Sequence, residues 1–343
     1  MAAPTLKFTI CRIAAGALAV FAGLLLPLQS IAQQAAPKCP APPATLTREK
    51  TEALLKTSTD RGFLWKIEKD GKTAYLYGTI HVNKLDWMLP GPTVRDAIRA
   101  SEVFAFELDI LDPNIQKKMG DPANFGIKNF SLPAPVKKRI EAFGRKVCAP
   151  DGAFAEAHPM IQFVALSLLD ARFSGAEAAY GSEVIIGSIV KSGGKSIVGL
   201  ETPAQQMHML LDGKPGELTE MIGSGLVSYD SGKGRAATNR LLEDWSTGNL
   251  DDLAQYEKWC DCADSKLDRD FYKRLNDDRN PGLATGIDKL IRDGKPVFAA
   301  VGSLHMTGPK ALPMLLANMG YKVERISFAS GSGVAEAKKA ASN

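Results

Sequence analysis

The chain has 343 residues, 45% hydrophobic, 23% charged and 7% aromatic, with 31 glycines and 20 prolines. These values lie close to globular averages and exclude collagen-like, coiled-coil and intrinsically disordered chains. A formal charge of +4 is too small to argue for nucleic acid, and a single long apolar stretch excludes a multi-span membrane bundle.

That stretch comes first in the chain. Lys7 and Arg12 precede an apolar run, Ile13–Leu26, which stops at Pro27 and leads to small residues at Ser30 and Ala32. The run is shorter than the roughly 20 residues a spanning helix needs and has the length of a secretory signal core. Residues 1–32 therefore read as a signal peptide cleaved after Ala32, which predicts a periplasmic or secreted protein with no stable membrane span. Residues 33–45, rich in Ala, Pro and Gln, read as a linker. Residues 46–329 read as one α/β domain, and 330–343, made of Gly, Ser, Ala and Lys, as a flexible tail.

Within the domain four short apolar runs predict strands: Thr73–Ile80, Val103–Phe106, Ser196–Leu200 and Val297–Val301. Continuous rather than alternating hydrophobicity predicts strands buried on both faces of a mixed or mostly parallel sheet flanked by helices. Helical periodicity surrounds them at Val94–Ser101, Val136–Phe143, Met160–Ala171, Ser182–Lys191, Thr202–Leu211, Leu283–Arg292 and Lys310–Met319. Gly193-Gly194 and Gly294 stand where helices end and strands begin. Residues 213–279 carry no strand signal and predict a mainly helical insertion or lid. Cys11 leaves with the signal, and Cys39, Cys148, Cys260 and Cys262 form an even set that allows three pairings. An exported protein favours two disulfides over a zinc knuckle, for which a second close pair is missing. Cys260 and Cys262 are expected to reach elsewhere rather than to bridge each other.

Every predicted strand runs into an ionisable residue. The first ends in Gly78-Thr-Ile-His81, the second in Glu107-Leu-Asp109, the third in Gly199-Leu-Glu201 and the fourth in Gly302-Ser-Leu-His305. Ligands of open α/β sheets bind beyond the carboxyl ends of the strands. Two imidazoles and two carboxylates delivered to that edge make a mixed nitrogen and oxygen set suited to a divalent ion such as Mn, Co or Zn. Singly each signal is weak, since strand-end acids are often helix caps, and Glu201 before Thr202-Pro203 fits that use. The repetition carries the argument: two of only four histidines share one local frame, 224 residues apart. Of the other two, His158 before Pro159 reads as a capping or packing residue, and His208 as a core or surface residue. There is no His-Glu-x-x-His, nucleophile elbow, P-loop or dinucleotide fingerprint. The four tryptophans are too scattered for a nucleic-acid platform.

The segments Leu76-Tyr-Gly-Thr-Ile-His81, Phe106-Glu-Leu-Asp109, Gly199-Leu-Glu-Thr202 and Val301-Gly-Ser-Leu-His-Met-Thr-Gly308 together resemble the TraB/PrgY/GumN family, which includes Tiki-type metalloproteases. The likeness runs from about Gly62 to Phe328. Arg279-Asn280 and Gly320-Tyr321 add to it, while Gly181-Ser182-Glu183 departs from it by carrying a longer acid than the family's usual Asp. The resemblance implies an exported metal-dependent hydrolase acting on a peptide or protein in the cell envelope. His81 and His305 would be metal ligands, and Glu107 and Glu201 would share the roles of ligand and general base. Arg279 would bind a carboxylate or stabilise an oxyanion and, with Asn280, meet the substrate. The alternative is a non-catalytic periplasmic binding protein that sequesters a peptide or other ligand at the same place. The sequence carries no signal of oligomeric state.

Overall fold

The computed structural model describes residues 38–328; the predicted signal peptide, its cleavage site, the first part of the linker and the tail lie outside them. The sheet has six strands. In chain order its members and a small companion ladder are β1 (Phe63–Lys69), β2 (Lys72–Thr79), β3 (Asn83–Lys84), β4 (Val103–Phe106), β5 (Ala176–Glu177), β6 (Ile197–Gly199), β7 (Val297–Gly302) and β8 (Lys322–Ile326). The six run in the order β6-β4-β7-β2-β1-β8, and β3 pairs with β5 apart from them. Strands β6, β4, β7 and β2 are parallel, while β1 is antiparallel to both β2 and β8. The fold is therefore α/β with a mixed, mostly parallel sheet.

The four predicted strands fall within a residue or so of the observed ones. Strand β7 is buried along nearly its whole length because it lies between β4 and β2 with helices on its faces. Burying a side chain such as Phe298 completely contributes about 1.5–3 kcal/mol before cavity terms. Strand β6 corrects the expectation of burial on both faces: it is an edge strand, and Val198 is exposed. Strand β1 carried no recognised signal. Its Lys66, Glu68 and Lys69 break the apolar run, as befits a hairpin arm near the sheet margin.

Residues 213–279 are helical and contain no strand, with helices Pro215–Asp230, Lys233–Thr247, Leu250–Leu253, Tyr256–Trp259 and Lys266–Leu275. The first of these packs with helices Ala134–Lys146, Pro159–Asp170 and Pro203–Leu211 around a second core that includes Phe143, Leu166, Leu211 and Ile222. His158 caps Pro159–Asp170, its Nδ1 accepting from the Met160 amide at 3.3 Å, and it packs edge-on against Phe130. Met88, in the stretch Leu85–Pro90 after His81, is buried with Tyr180 and Ile185, and Leu85 and Leu89 pack against them.

Two cystine bridges are present, Cys39–Cys148 and Cys260–Cys262. The second corrects the expectation that the close cysteines reach elsewhere: Asp261 between them takes a left-handed φ of 55°, which turns the chain so that their Cα atoms lie 5.1 Å apart. The first revises the linker reading from residue 38 onward. This segment has no helix or strand, but Cys39 is bridged, the Pro40 and Ala41 carbonyls accept from Arg172, and the Ala44 amide donates to Tyr180. The Cys39–Cys148 bridge spans 109 residues, a loop for which chain-entropy arguments give about 4–5 kcal/mol. Replacing both cysteines by serine is expected to lower stability by about 2–5 kcal/mol in denaturant unfolding. Titration of the unreduced native protein should find no reactive thiol among these four cysteines.

Candidate active site

Strand order decides how the ionisable residues meet. Reading across the parallel strands β6-β4-β7-β2, the residues past the carboxyl ends are Glu201, Glu107, His305 and His81 in turn. The two Gly-x-x-His turns therefore leave neighbouring strands, and they are tied directly, since the Ser303 hydroxyl donates to the Thr79 carbonyl at 2.6 Å. The glycines serve close approach rather than unusual backbone angles. The Gly302 amide donates to Glu107 Oε1 at 2.8 Å, and a Cβ there would stand 3.2 Å from that oxygen. The Gly78 carbonyl accepts from the Trp245 indole at 2.9 Å.

Arg279 lies between the two acids. Its Nε donates to Glu201 Oε1 at 2.8 Å, Nη2 to Glu201 Oε2 at 2.6 Å and to Glu107 Oε2, and Nη1 to the Leu275 carbonyl at 2.9 Å and His305 Nε2 at 3.1 Å. A guanidinium has five N–H donors, and all five are engaged. As arranged, Arg279 binds and organises both carboxylates and keeps no donor for a developing oxyanion. Gln206 completes the group, its amide donating to Glu201 Oε2 at 3.0 Å and Glu107 Oε2 at 3.4 Å. Glu201 is not the helix cap: Thr202 caps Pro203–Leu211 in a reciprocal box with Gln205.

Asn280 sets the state of His305. Its Nδ2 donates to the His305 and Lys310 carbonyls at 3.2 and 2.8 Å, which turns Oδ1 toward the imidazole. Nδ1 must then carry the proton, leaving a bare lone pair on Nε2 that accepts from Arg279. Burial pushes the His305 pKa down to about 4, helped by the Arg279 charge and opposed by Glu107, so the ring is neutral. Asn280 is wholly buried with its amide fully used, so its place is behind His305 and not against a substrate as the sequence suggested. His81 has a partner of its own in Glu183, whose Oε1 is 3.0 Å from Nδ1 and accepts from the Thr79 hydroxyl at 2.6 Å. The Glu183 charge and hydrogen bond raise His81 to about 9. Glu183 stands at the position where the acid is longer than expected, and its extra methylene reaches from the start of helix Ser182–Ser192 to the histidine. Sequence reasoning missed Gln206 and left Glu183 without a role; a Gln one turn into the helix after Glu201 was the available signal for the first.

The Glu107 carboxylate is opposed by burial, but His305, Arg279, His81 and the Gly302 amide outweigh that and hold it at about 2. A cavity of about 440 Å³ is lined by His81, Glu107, Arg279 and His305. Its lining does not include Glu201, which stays behind the guanidinium. Among the described residues no three His, Cys, Asp or Glu side chains stand as a group that could hold a metal ion.

The family model of the TraB/PrgY/gumN family matches residues 63–325, which span both histidine turns, both acids and Arg279. The chain belongs to the TraB/PrgY/gumN family. Comparisons with curated proteins and with solved structures give no match. Among the described residues no helix is long and apolar enough to cross a membrane.

One further glycine of this TraB/PrgY/gumN chain holds the site together. The Ser182 amide and hydroxyl bond the Ile80 carbonyl and amide, and a Cβ on Gly181 would stand 2.5 Å from the His81 carbonyl oxygen. Because backbone would have to give way, Gly181→Ala is expected to cost about 1–3 kcal/mol. It should also displace His81 from Glu183, which thermal unfolding and the His81 imidazole NMR titration would register.

Proposed function

We propose that the protein is an exported metal-dependent hydrolase that cleaves peptide or protein amides in the cell envelope. The observation that carries this reading is the pairing of each cavity histidine with a partner at Nδ1: Glu183 for His81 and Asn280 for His305. Metal-binding histidines are oriented and made more basic by such partners; in His305 the remaining Nε2 accepts from Arg279 Nη1, a bond an ion would have to displace. With Glu107 the donor types suit a divalent ion, and His81, His305 and Glu107 would be the residues to hold it on closing into a ligand group that they do not form in this structure; Glu201 would act through Arg279. A divalent ion in such a set polarises a carbonyl and makes water acidic enough to attack at neutral pH.

The chain's own residues do the rest. Arg279 neutralises the paired acids and fixes Glu107 toward the cavity. Asn280 keeps His305 in the Nε2 lone-pair tautomer. A carboxylate held as low as Glu107 stays ionised and serves to hold charge or a water proton donor in place. The two disulfides support export, because such bridges persist in oxidising compartments.

Protein purified without chelator is expected to retain close to one equivalent of Mn, Co or Zn and to cleave peptides. His81→Ala should lower both metal content and kcat/KM by at least about 10–100-fold. Wild type that retains no ion and cleaves nothing would remove the hydrolase reading. The sequestration reading would then stand. It is favoured by one observation, that Arg279 already satisfies both acids without an ion.

A further inference from the structure

The cavity that meets His81, Glu107 and His305 continues into an arm of different character. Its far walls come from the helical region: Tyr229, Leu241, Tyr256, Phe271 and Tyr272, with Leu168 from helix Pro159–Asp170. These walls are braced from behind. Tyr256 stacks on Tyr272 with ring centroids 5.8 Å apart and meets Trp259 edge-on at 4.9 Å, while Tyr229 packs against Phe143 at 4.9 Å. Asp268, the acid at that end, accepts from the Ser265 amide and hydroxyl through Oδ2 at 3.1 and 2.7 Å. Cys262 is bridged to Cys260 and offers no thiol. The arm therefore presents braced aromatic and aliphatic surface with the Asp268 carboxylate at its end, and it opens directly onto the polar cluster at the strand ends.

A volume of about 440 Å³ falls in the range of pockets that enclose small ligands, in which apolar walls bind and a few polar groups orient. A charged side chain placed in the arm would lose its hydration, and only a cation reaching Asp268 would find a partner. We infer that the arm is the specificity pocket of this site, and that its occupant is a large uncharged side chain, aromatic or branched aliphatic, adjoining the amide presented to His81, Glu107 and His305. This inference rests on the hydrolase reading for the identity of the bond, but not for the preference of the pocket.

The test uses the full secreted protein and two independent readouts. The first is binding of N-acetyl-phenylalaninamide, N-acetyl-leucinamide, N-acetyl-lysinamide, N-acetyl-aspartamide and a C12 acyl amide, followed by NMR shift perturbation. The second is cleavage of quenched peptides varied at one position. The expected result is that the phenylalanine and leucine amides bind at least about 10-fold tighter than the charged ones. Leu241→Trp, which fills the arm, should weaken them by a similar factor. Leu241→Ala, which widens it, should shift preference toward a naphthylalanine amide, and it serves if the larger substitution prevents folding. Equal binding of charged and apolar amides overturns the inference, as does stronger binding of the acyl amide than of any amino-acid amide. Cleavage indifferent to the varied side chain overturns it while leaving the hydrolase reading intact. Selective apolar binding without cleavage supports the pocket and counts against the hydrolase.

Discussion

Arg279→Leu is expected to destabilise the protein by about 3–5 kcal/mol, because it leaves two carboxylates without their partner. The Glu107 and Glu201 side chains are only 16% and 9% exposed, so water does not replace the guanidinium. For a chain of this size that loss corresponds to a fall in Tm of roughly 10 °C. Arg279→Lys keeps the charge but has three donors where five are used, and it should recover only part of the loss. Adding Glu107→Gln and Glu201→Gln to Arg279→Leu should restore most of it, since the penalty belongs to uncompensated charge rather than to missing contact. A triple variant as unstable as the single one would show that Arg279 acts by packing alone.

Metal-free protein, prepared with chelator, is expected to lose stability steeply as pH falls below about 6.5. His305 is held near 4 in the folded chain against an ordinary 6.5. The unfolded chain therefore takes up that proton first, and stability drains away between pH 6.5 and 4. Glu107 is held near 2 against 4.5, so its contribution is present above pH 4.5 and is lost as pH falls toward 2. At 1.36 kcal/mol per unit, each shift corresponds to a change on the order of 3 kcal/mol. His81 acts in the opposite sense, favouring the fold below pH 6.5 and losing that effect as pH rises through about 9. Its side chain is 72% exposed, so solvent screening reduces the effect and no energy is assigned to it. Denaturant unfolding at intervals from pH 8 to 3 checks this. His305→Gln should flatten the limb between 6.5 and 4 and also weaken the lower one, since His305 helps to hold Glu107 down.

What the sequence made legible was the strand ends. Glycine followed three residues later by histidine, each after a buried apolar run, locates a site because strand interiors are read by hydrophobicity and their ends by the break in it. The strand order that sets His81 beside His305, and Glu107 beside Glu201, is a long-range property that no local pattern encodes; it emerged only through repetition of the frame. The roles of the polar residues were harder to read. Arg279 and Asn280 are adjacent and looked alike as substrate contacts. One turn of helix aims the first at the acids and buries the second behind an imidazole. Residue type states what a group can donate, and only packing states to whom. The bridge between Cys260 and Cys262 was misjudged for a similar reason, since it depends on Asp261 adopting a conformation that an aspartate rarely takes.

Strand β7 is held on one side by β4 and on the other by β2, yet it is made long after both, at residues 297–302. Until that segment arrives, the two halves of the sheet have nothing between them and His81 faces no counterpart. A nascent or truncated polypeptide ending before residue 297 thus carries both acids, Arg279 and the first imidazole without an assembled centre. Whatever chemistry the finished molecule performs is withheld from the growing chain by the order in which its strands are translated.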